Sequence, residues 1–213
     1  MVKVHSARRR KPSSTRWLSR QLNDPYVAEA RRLGYRSRAA FKLIELDKRF
    51  RLLRPGQRVV DLGCAPGGWT QVAVTRAGRG RVIGIDLAET RPLSGATFLV
   101  GDIRDPTALE AISAALGGRA DLVLSDMAPQ ATGHAATDHL RIVALAEDAL
   151  DVAAQILEPG GVFVAKVFQG GAEGALLARL KRDFTQLRHA KPPASRAESA
   201  ETYVVATGFR SGA

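Results

Sequence analysis

Cys64 is the only cysteine among 213 residues, which excludes an intrachain disulfide and argues against a thiolate zinc cluster. No stretch approaches the ~18 consecutive apolar residues of a membrane span. The basic N-terminus is not followed by the apolar segment of a signal peptide. The four histidines show no ligand spacing, so no metal is expected. These absences predict a cytoplasmic chain, and its length predicts a single domain with a substantial core.

Acid is scarce in one part of the chain only. Residues 1–60 hold 17 Lys+Arg against 4 Asp+Glu, whereas residues 61–213 hold 15 against 17. The whole excess of positive charge behind the net +11 therefore sits in residues 1–60. Arg8, Arg9, Arg10 and Lys11 form one cluster, extended by Arg16, Arg20, Arg31, Arg32, Arg36 and Arg38. Arginine suits bidentate contact with phosphates, so these ten residues predict a polyanionic partner. Residues 1–13 read as a disordered basic arm ending at Pro12-Ser13-Ser14. Residues 14–57, where Trp17, Leu18, Tyr26 and Tyr35 interleave with the charge, read as the basic part of domain 14–213.

From there the pattern alternates. Strands are expected at Arg58–Leu62, Arg81–Asp86, Thr97–Val100, Asp121–Ser125, Gly161–Val167 and Thr202–Thr207, with a weaker seventh near Thr185–His189. Helices are expected from a Ser37 cap to Arg49, and over Gly68–Ala77, Pro106–Leu116, His139–Leu157 and Gly174–Asp183. The alternation predicts one doubly wound α/β domain, its seven-stranded sheet mostly parallel and Rossmann-like. Such sheets bind ligands at the carboxyl ends of their strands.

Those ends carry acids. Val59-Val60-Asp61-Leu62-Gly63-Cys64-Ala65-Pro66-Gly67-Gly68-Trp69-Thr70 runs from an apolar strand through an acid into a glycine-rich turn. Its spacing is neither the G-x-G-x-x-G of dinucleotide enzymes nor a phosphate loop. Asp86 lies 23 residues beyond Gly63, where an acid can accept from ribose hydroxyls. Asp102 and Asp126 follow the next two strands, the first placed to accept from an exocyclic amine. Any one of these acids could simply cap a helix, as Asp105 before Pro106 is expected to do. NAD(P) and S-adenosylmethionine share the adenosine that such acids bind. The turn favours the second, because it lacks the close glycine that admits a pyrophosphate. Asp61 and Asp126 would then suit the ammonium of the methionine end.

Two lysines and a glutamate complete the set. Lys166 lies in an apolar strand, where a charge is costly unless paired or used. Lys42 on the first helix and Glu201 at the start of the last strand are unremarkable taken singly.

Together, Arg36-Ser37-Arg38-Ala39-Ala40-Phe41-Lys42-Leu43, Asp61–Trp69, Ser125-Asp126-Met127-Ala128-Pro129, Lys166-Val167-Phe168-Gln169-Gly170 and Glu201–Gly208 closely resemble the FtsJ/RrmJ family. Its members are S-adenosylmethionine-dependent uridine-2′-O-methyltransferases of large-subunit ribosomal RNA. The resemblance runs from about Ser14 to Gly208. It implies a catalytic set of Lys42, Asp126, Lys166 and Glu201, and cofactor positions at Gly67, Trp69, Asp86, Asp102 and Asp126. Ala40 and Ala200 depart from the family pattern, at positions where a bulkier aromatic and a basic residue are usual. On this reading Lys166 orients the ribose 2′-hydroxyl and, when neutral, accepts its proton, aided by the positive charge of Lys42. Asp126 orients Lys166, and Glu201 positions the second lysine or the ribose. The implied partner is ribosomal RNA in the large subunit, met by a monomer. A tRNA or messenger-cap 2′-O-methyltransferase, a nonenzymatic RNA-binding protein and a nicotinamide dehydrogenase remain the alternatives.

Overall fold

A computed structural model describes residues 23–78, 80–129, 132–168 and 174–210. The predicted arm at 1–13, the cluster Arg8-Arg9-Arg10-Lys11, Arg16, Arg20 and the Gln169-Gly170 end of one motif lie outside the described residues.

Two helices lead into the sheet: α1 (Pro25–Leu33) and α2 (Ala39–Phe50). There follow β1 (Arg58–Leu62), α3 (Gly68–Ala77), β2 (Arg81–Asp86), β3 (Ala96–Val100), α4 (Pro106–Leu116) and β4 (Ala120–Ser125). The chain continues through α5 (Ala135–Ile156), β5 (Leu157–Phe168), α6 (Gly174–Asp183), β6 (Phe184–Ala190) and β7 (Glu201–Phe209). The sheet order is β3-β2-β1-β4-β5-β7-β6. Strands β1 to β5 are parallel, whereas β7 runs antiparallel to both β5 and β6. The seven-stranded, mostly parallel sheet expected from the sequence is therefore present, and order reverses between β1 and β4.

Each face of the sheet buries its own apolar cluster. Ile112 and Leu116 of α4, Ala149 and Leu150 of α5, and Leu176 and Leu180 of α6 cover Val60, Ile83, Val123 and Phe163. On the other face Leu43 and Leu46 of α2 and Trp69 and Val72 of α3 cover Val59, Leu122, Val164 and Tyr203. Helices on both faces explain why the central strands read as continuous apolar runs.

Local chemistry differs from expectation at four places. Helix α1 was not anticipated, although Asp24 accepts from Tyr26 N, Pro25 opens the helix and Gly34 closes it in the left-handed region. Helix α2 starts from Arg38, not from a Ser37 cap, and no side chain caps it. Instead Ser37 Oγ faces Gly68, where an added Cβ would lie 2.3 Å away, so α2 and the glycine turn approach closely. Helix α5 begins at Ala135 rather than His139, and β5 begins at Leu157 rather than Gly161. Asp105 behaves as predicted, accepting from Thr107 N at 2.9 Å.

Candidate active site

Four chain segments meet at one buried cluster. Lys42 projects from the first turns of α2 beside Leu43 and Leu46, which anchor the helix to the sheet. Asp126 is the residue after β4, Lys166 lies near the end of β5, and Glu201 opens β7. Antiparallel register sets Lys166 opposite Tyr203 and Phe168 opposite Glu201. With side chains alternating along each strand, Lys166, Glu201 and Tyr203 share the face that α2 covers.

Lys166 Nζ lies 2.6 Å from Asp126 Oδ1 and donates to the Asp126 carbonyl at 2.9 Å. Lys42 Nζ lies 2.8 Å from Glu201 Oε1. Cross contacts close the ring, with Lys42 to Asp126 at 3.6 Å and Lys166 to Glu201 at 3.7 Å. Two ammoniums and two carboxylates thus balance in a buried, nearly neutral cluster, which makes burying them affordable. Burial alone would push the Asp126 carboxyl up, but Lys166 and then Lys42 outweigh it and hold it below the ordinary range. Glu201 behaves alike: burial is opposed by Lys42 and then Lys166, with a net lowering. Two neutral donors complete the carboxylates. Tyr203 OH donates to Asp126 Oδ1 at 2.6 Å, and Ser195 Oγ donates to Glu201 Oε1 at 2.7 Å. Burial, followed by the Asp126 and Glu201 charges, raises the Tyr203 hydroxyl far above its usual value, so it remains a donor.

Beside this cluster a cavity of about 670 Å³ opens at the carboxyl ends of β1 to β4. That volume suits a nucleoside-sized ligand. Gly63, Asp86, Asp102 and Asp126 line it, so four of the predicted cofactor residues converge there. Gly63 has φ +73°, and a Cβ on it would lie 2.2 Å from Met127 Cγ; glycine is required. Asp86 braces the rim by accepting from Ala65 N and Ala88 N, both at 2.9 Å. Asp102 is held by the Arg104 guanidinium, whose hydrogen bonds keep its carboxyl down at about 2. To accept from a ligand amine, Asp102 has to share or release Arg104.

The other three predicted cofactor residues lie outside the cavity lining. Asp61 is buried beneath the glycine turn and accepts from Thr70 Oγ1 at 2.6 Å. Burial, only partly offset by that hydrogen bond, pushes its carboxyl up to about 7. Trp69 is buried, donates from Nε1 to the Ala39 carbonyl at 2.8 Å and packs on Tyr203 with ring centres 5.6 Å apart. Its side chain ties α2 to the sheet. Gly67 precedes α3 at φ +101°, with Arg36 and Thr90 against it.

Sequence reasoning missed Tyr203, Ser195 and the face of α5 that closes the cavity. Arg141, Ala144, Leu145 and Asp148 line it together with Arg104. Their i, i+3, i+4, i+7 spacing was a readable signal of one helix face. Tyr203 was also readable, standing two residues beyond Glu201 and so on its side of the strand.

Two predicted phosphate-binding arginines face inward. Arg36 donates to the carbonyls of Pro66, Arg91 and Pro92 and lies 5.7 Å from the Phe98 ring centre. Arg38 lies 3.0 Å from Asp24 and donates to the Ala194 carbonyl. Arg32 pairs with Glu29 on the surface, and Arg31 is exposed. Among the described residues no helix is long and apolar enough to cross a membrane.

Comparison with known proteins agrees with this geometry. The FtsJ-like methyltransferase family matches residues 35–209. A curated relative from Paramagnetospirillum magneticum, named ribosomal RNA large subunit methyltransferase E, is 64% identical, covering 98% of this chain and 88% of that protein. One of the same name from Acidiphilium cryptum is 62% identical, covering 98% of this chain and 92% of its own length. A crystal structure described as a ribosomal RNA methyltransferase from Plasmodium falciparum superposes with a TM-score of 0.74 at 31% identity, covering 82% of this chain and 98% of that one. The tetrad, the cavity and these matches have one common reading: the chain belongs to the FtsJ-like methyltransferase family and is an enzyme of that class.

Proposed function

We propose that this methyltransferase transfers the methyl group of S-adenosylmethionine to the 2′-hydroxyl of a uridine ribose in large-subunit ribosomal RNA. One observation carries the reading. Asp126 lines the cavity and also holds Lys166, so a methyl-donor site and a proton-handling site share a residue. FtsJ-like methyltransferases generally use S-adenosylmethionine, and the cavity's chemistry fits it. Asp86 offers a carboxylate for ribose hydroxyls and Asp102 one for the exocyclic amine. Gly63 lines the cavity without a side chain, and Asp126 offers a carboxylate for an ammonium.

When bound, S-adenosylmethionine supplies a methyl group already activated as a sulfonium, so the protein's task is positioning and deprotonation. Lys166 orients the 2′-oxygen and, once its ammonium has given up a proton to solvent, accepts the hydroxyl proton at Nζ. Asp126 fixes Lys166 through its carboxylate and its carbonyl. Glu201 holds Lys42, whose ammonium stands between the two carboxylates. The tetrad is complete within one chain, so the proposed reaction needs no second copy, and we place it in the cytoplasm. A net charge of +11 concentrated in residues 1–60 supports a polyanionic substrate. We assign residues 14–213 to one methyltransferase domain, with 14–57 as its RNA-facing part and 1–13 as a basic arm.

Transfer of labelled methyl from S-adenosylmethionine tests this. The acceptors are unmodified large ribosomal subunits, free ribosomal RNA and bulk tRNA, with Lys166→Ala as control. Label on a uridine 2′-oxygen of the large-subunit RNA, absent with the variant, is expected. Label in tRNA alone would overturn the substrate, and RNA binding without transfer would favour a nonenzymatic role.

A further inference from the structure

The arginines nearest the site are turned onto the protein itself, so the free positive charge lies elsewhere. One concentration of it lies at the far end of α2. Lys48, Arg49, Arg51 and Arg54 are all exposed, and among the described residues none of the four pairs with an acid. Arg76 of α3 joins them, its side chain 54% exposed and its Nε 4.0 Å from Asp47. Asp47 is the one acid in this group, and it is buried and accepts from Leu53 N.

Helix electrostatics account for part of the patch. Lys48 and Arg49 lie in the last turn of α2, where cations complement the macrodipole. Arg51 and Arg54 lie beyond it. Arg51 is moreover the only non-glycine residue with positive φ among the described residues, at φ 54° and ψ 51°. That left-handed position closes α2 and is one that glycine fills without strain. A long, flexible, charged side chain on a strained backbone, with no acid paired to it among the described residues, points to a ligand outside the chain.

Its place in the fold narrows that ligand. The turn after α2 docks on the end of α3 through Gly56 N to the Ala77 carbonyl, at the edge of the sheet where β1 begins. The cavity opens at the opposite edge. From Lys42 to Arg51 the helix rises about 14 Å, a distance spanned by a few nucleotides of backbone.

We propose that Lys48, Arg49, Arg51, Arg54 and Arg76 form a second phosphate-binding surface, gripping ribosomal RNA away from the nucleotide being methylated. This rests on the proposed RNA substrate and adds where that RNA is held. Arginine-rich and lacking a groove, the surface reads phosphate position rather than sequence.

The test compares wild type, Arg51→Gly and Lys48→Gln/Arg51→Gly/Arg54→Gln in binding protein-free ribosomal RNA and assembled subunits over a range of salt. Arg51→Gly is expected to raise Tm by relieving strain, while lowering the slope of log K against log salt by about 1. The triple variant should weaken RNA binding at least tenfold and lower that slope by two to three, with S-adenosylmethionine affinity unchanged. Wild-type RNA affinity and slope in the triple variant would overturn the surface while leaving the methyltransferase reading intact. A loss seen with assembled subunits but not with protein-free RNA would reassign it to a ribosomal protein, also against the proposal. A wild-type chain that neither binds nor methylates ribosomal RNA would remove the substrate reading and the surface together.

Discussion

Tyr203 OH and Lys166 Nζ converge on a single oxygen, Asp126 Oδ1, each at 2.6 Å. Register causes this: the two residues stand directly opposite one another in the β5–β7 pair. A neutral donor and a cation together fix the carboxylate that connects cavity and tetrad. Tyr203→Phe removes the neutral donor and keeps the ring against Trp69. Loss of a hydrogen bond to a charged group is worth about 1.5–3 kcal/mol, so kcat should fall by about tenfold or more. Methyl-donor affinity should change little. Single-turnover methyl transfer and cofactor titration separate the two effects.

Lys166→Ala should lower methyl transfer by about two to four orders of magnitude, the range general-base removal produces. If Lys166 accepts the proton, wild-type kcat rises with pH. Lys166→Arg keeps charge without an accessible neutral form and should be nearly inactive over the same range. A Lys166→Arg enzyme with the wild-type rate and no pH dependence would end the proton-acceptor role.

Arg36→Ala distinguishes an internal clamp from a phosphate contact. Three of its hydrogen bonds tie the residues ahead of α2 to the glycine turn and to Arg91-Pro92. Removing them should cost about 2 kcal/mol of stability and weaken methyl-donor binding several-fold, because Ala65, Asp86 and Leu87 line the cavity next to them. The salt slope of RNA binding should stay as in wild type. Urea unfolding, cofactor titration and RNA binding at two salt concentrations check the three parts.

Stability should depend on pH in two opposed windows. Asp61, pushed from 3.8 up to about 7 chiefly by burial, keeps a proton in the folded chain that the unfolded chain has lost. Between those values stability therefore falls as pH rises, then levels off. Asp126 and Glu201 are held low, so their contribution is full above the ordinary carboxylate range and is lost as pH falls through it. Urea unfolding of wild type should weaken between about pH 5 and about pH 8, and Asp61→Asn should flatten that decline. An equal decline in the variant would remove Asp61 as its cause.

The chain's primary structure determined the elements and where chemistry could gather. Apolar runs ending in Asp61, Asp86 and Asp126 mark strands that end at one edge, because a parallel sheet sends its carboxyl ends the same way. Lys166 was legible as a charge inside an apolar strand, and Asp105-Pro106 as a helix start. Asp24-Pro25 and Gly34 were equally legible as the ends of α1 and went unread.

Which groups meet was decided only in three dimensions. Lys42 and Glu201 are 159 residues apart and touch because α2 crosses the face on which β7 lies antiparallel beside β5. No local pattern encodes that pairing. Nor does a run of arginines reveal which of them turn inward. Arg36 and Arg38 found carbonyls and Asp24 from distant segments, while the side chains of Arg51 and Arg54 found no acid among the described residues. Charge is a property of the residue; whether it is free depends on what the folded chain brings within hydrogen-bond reach.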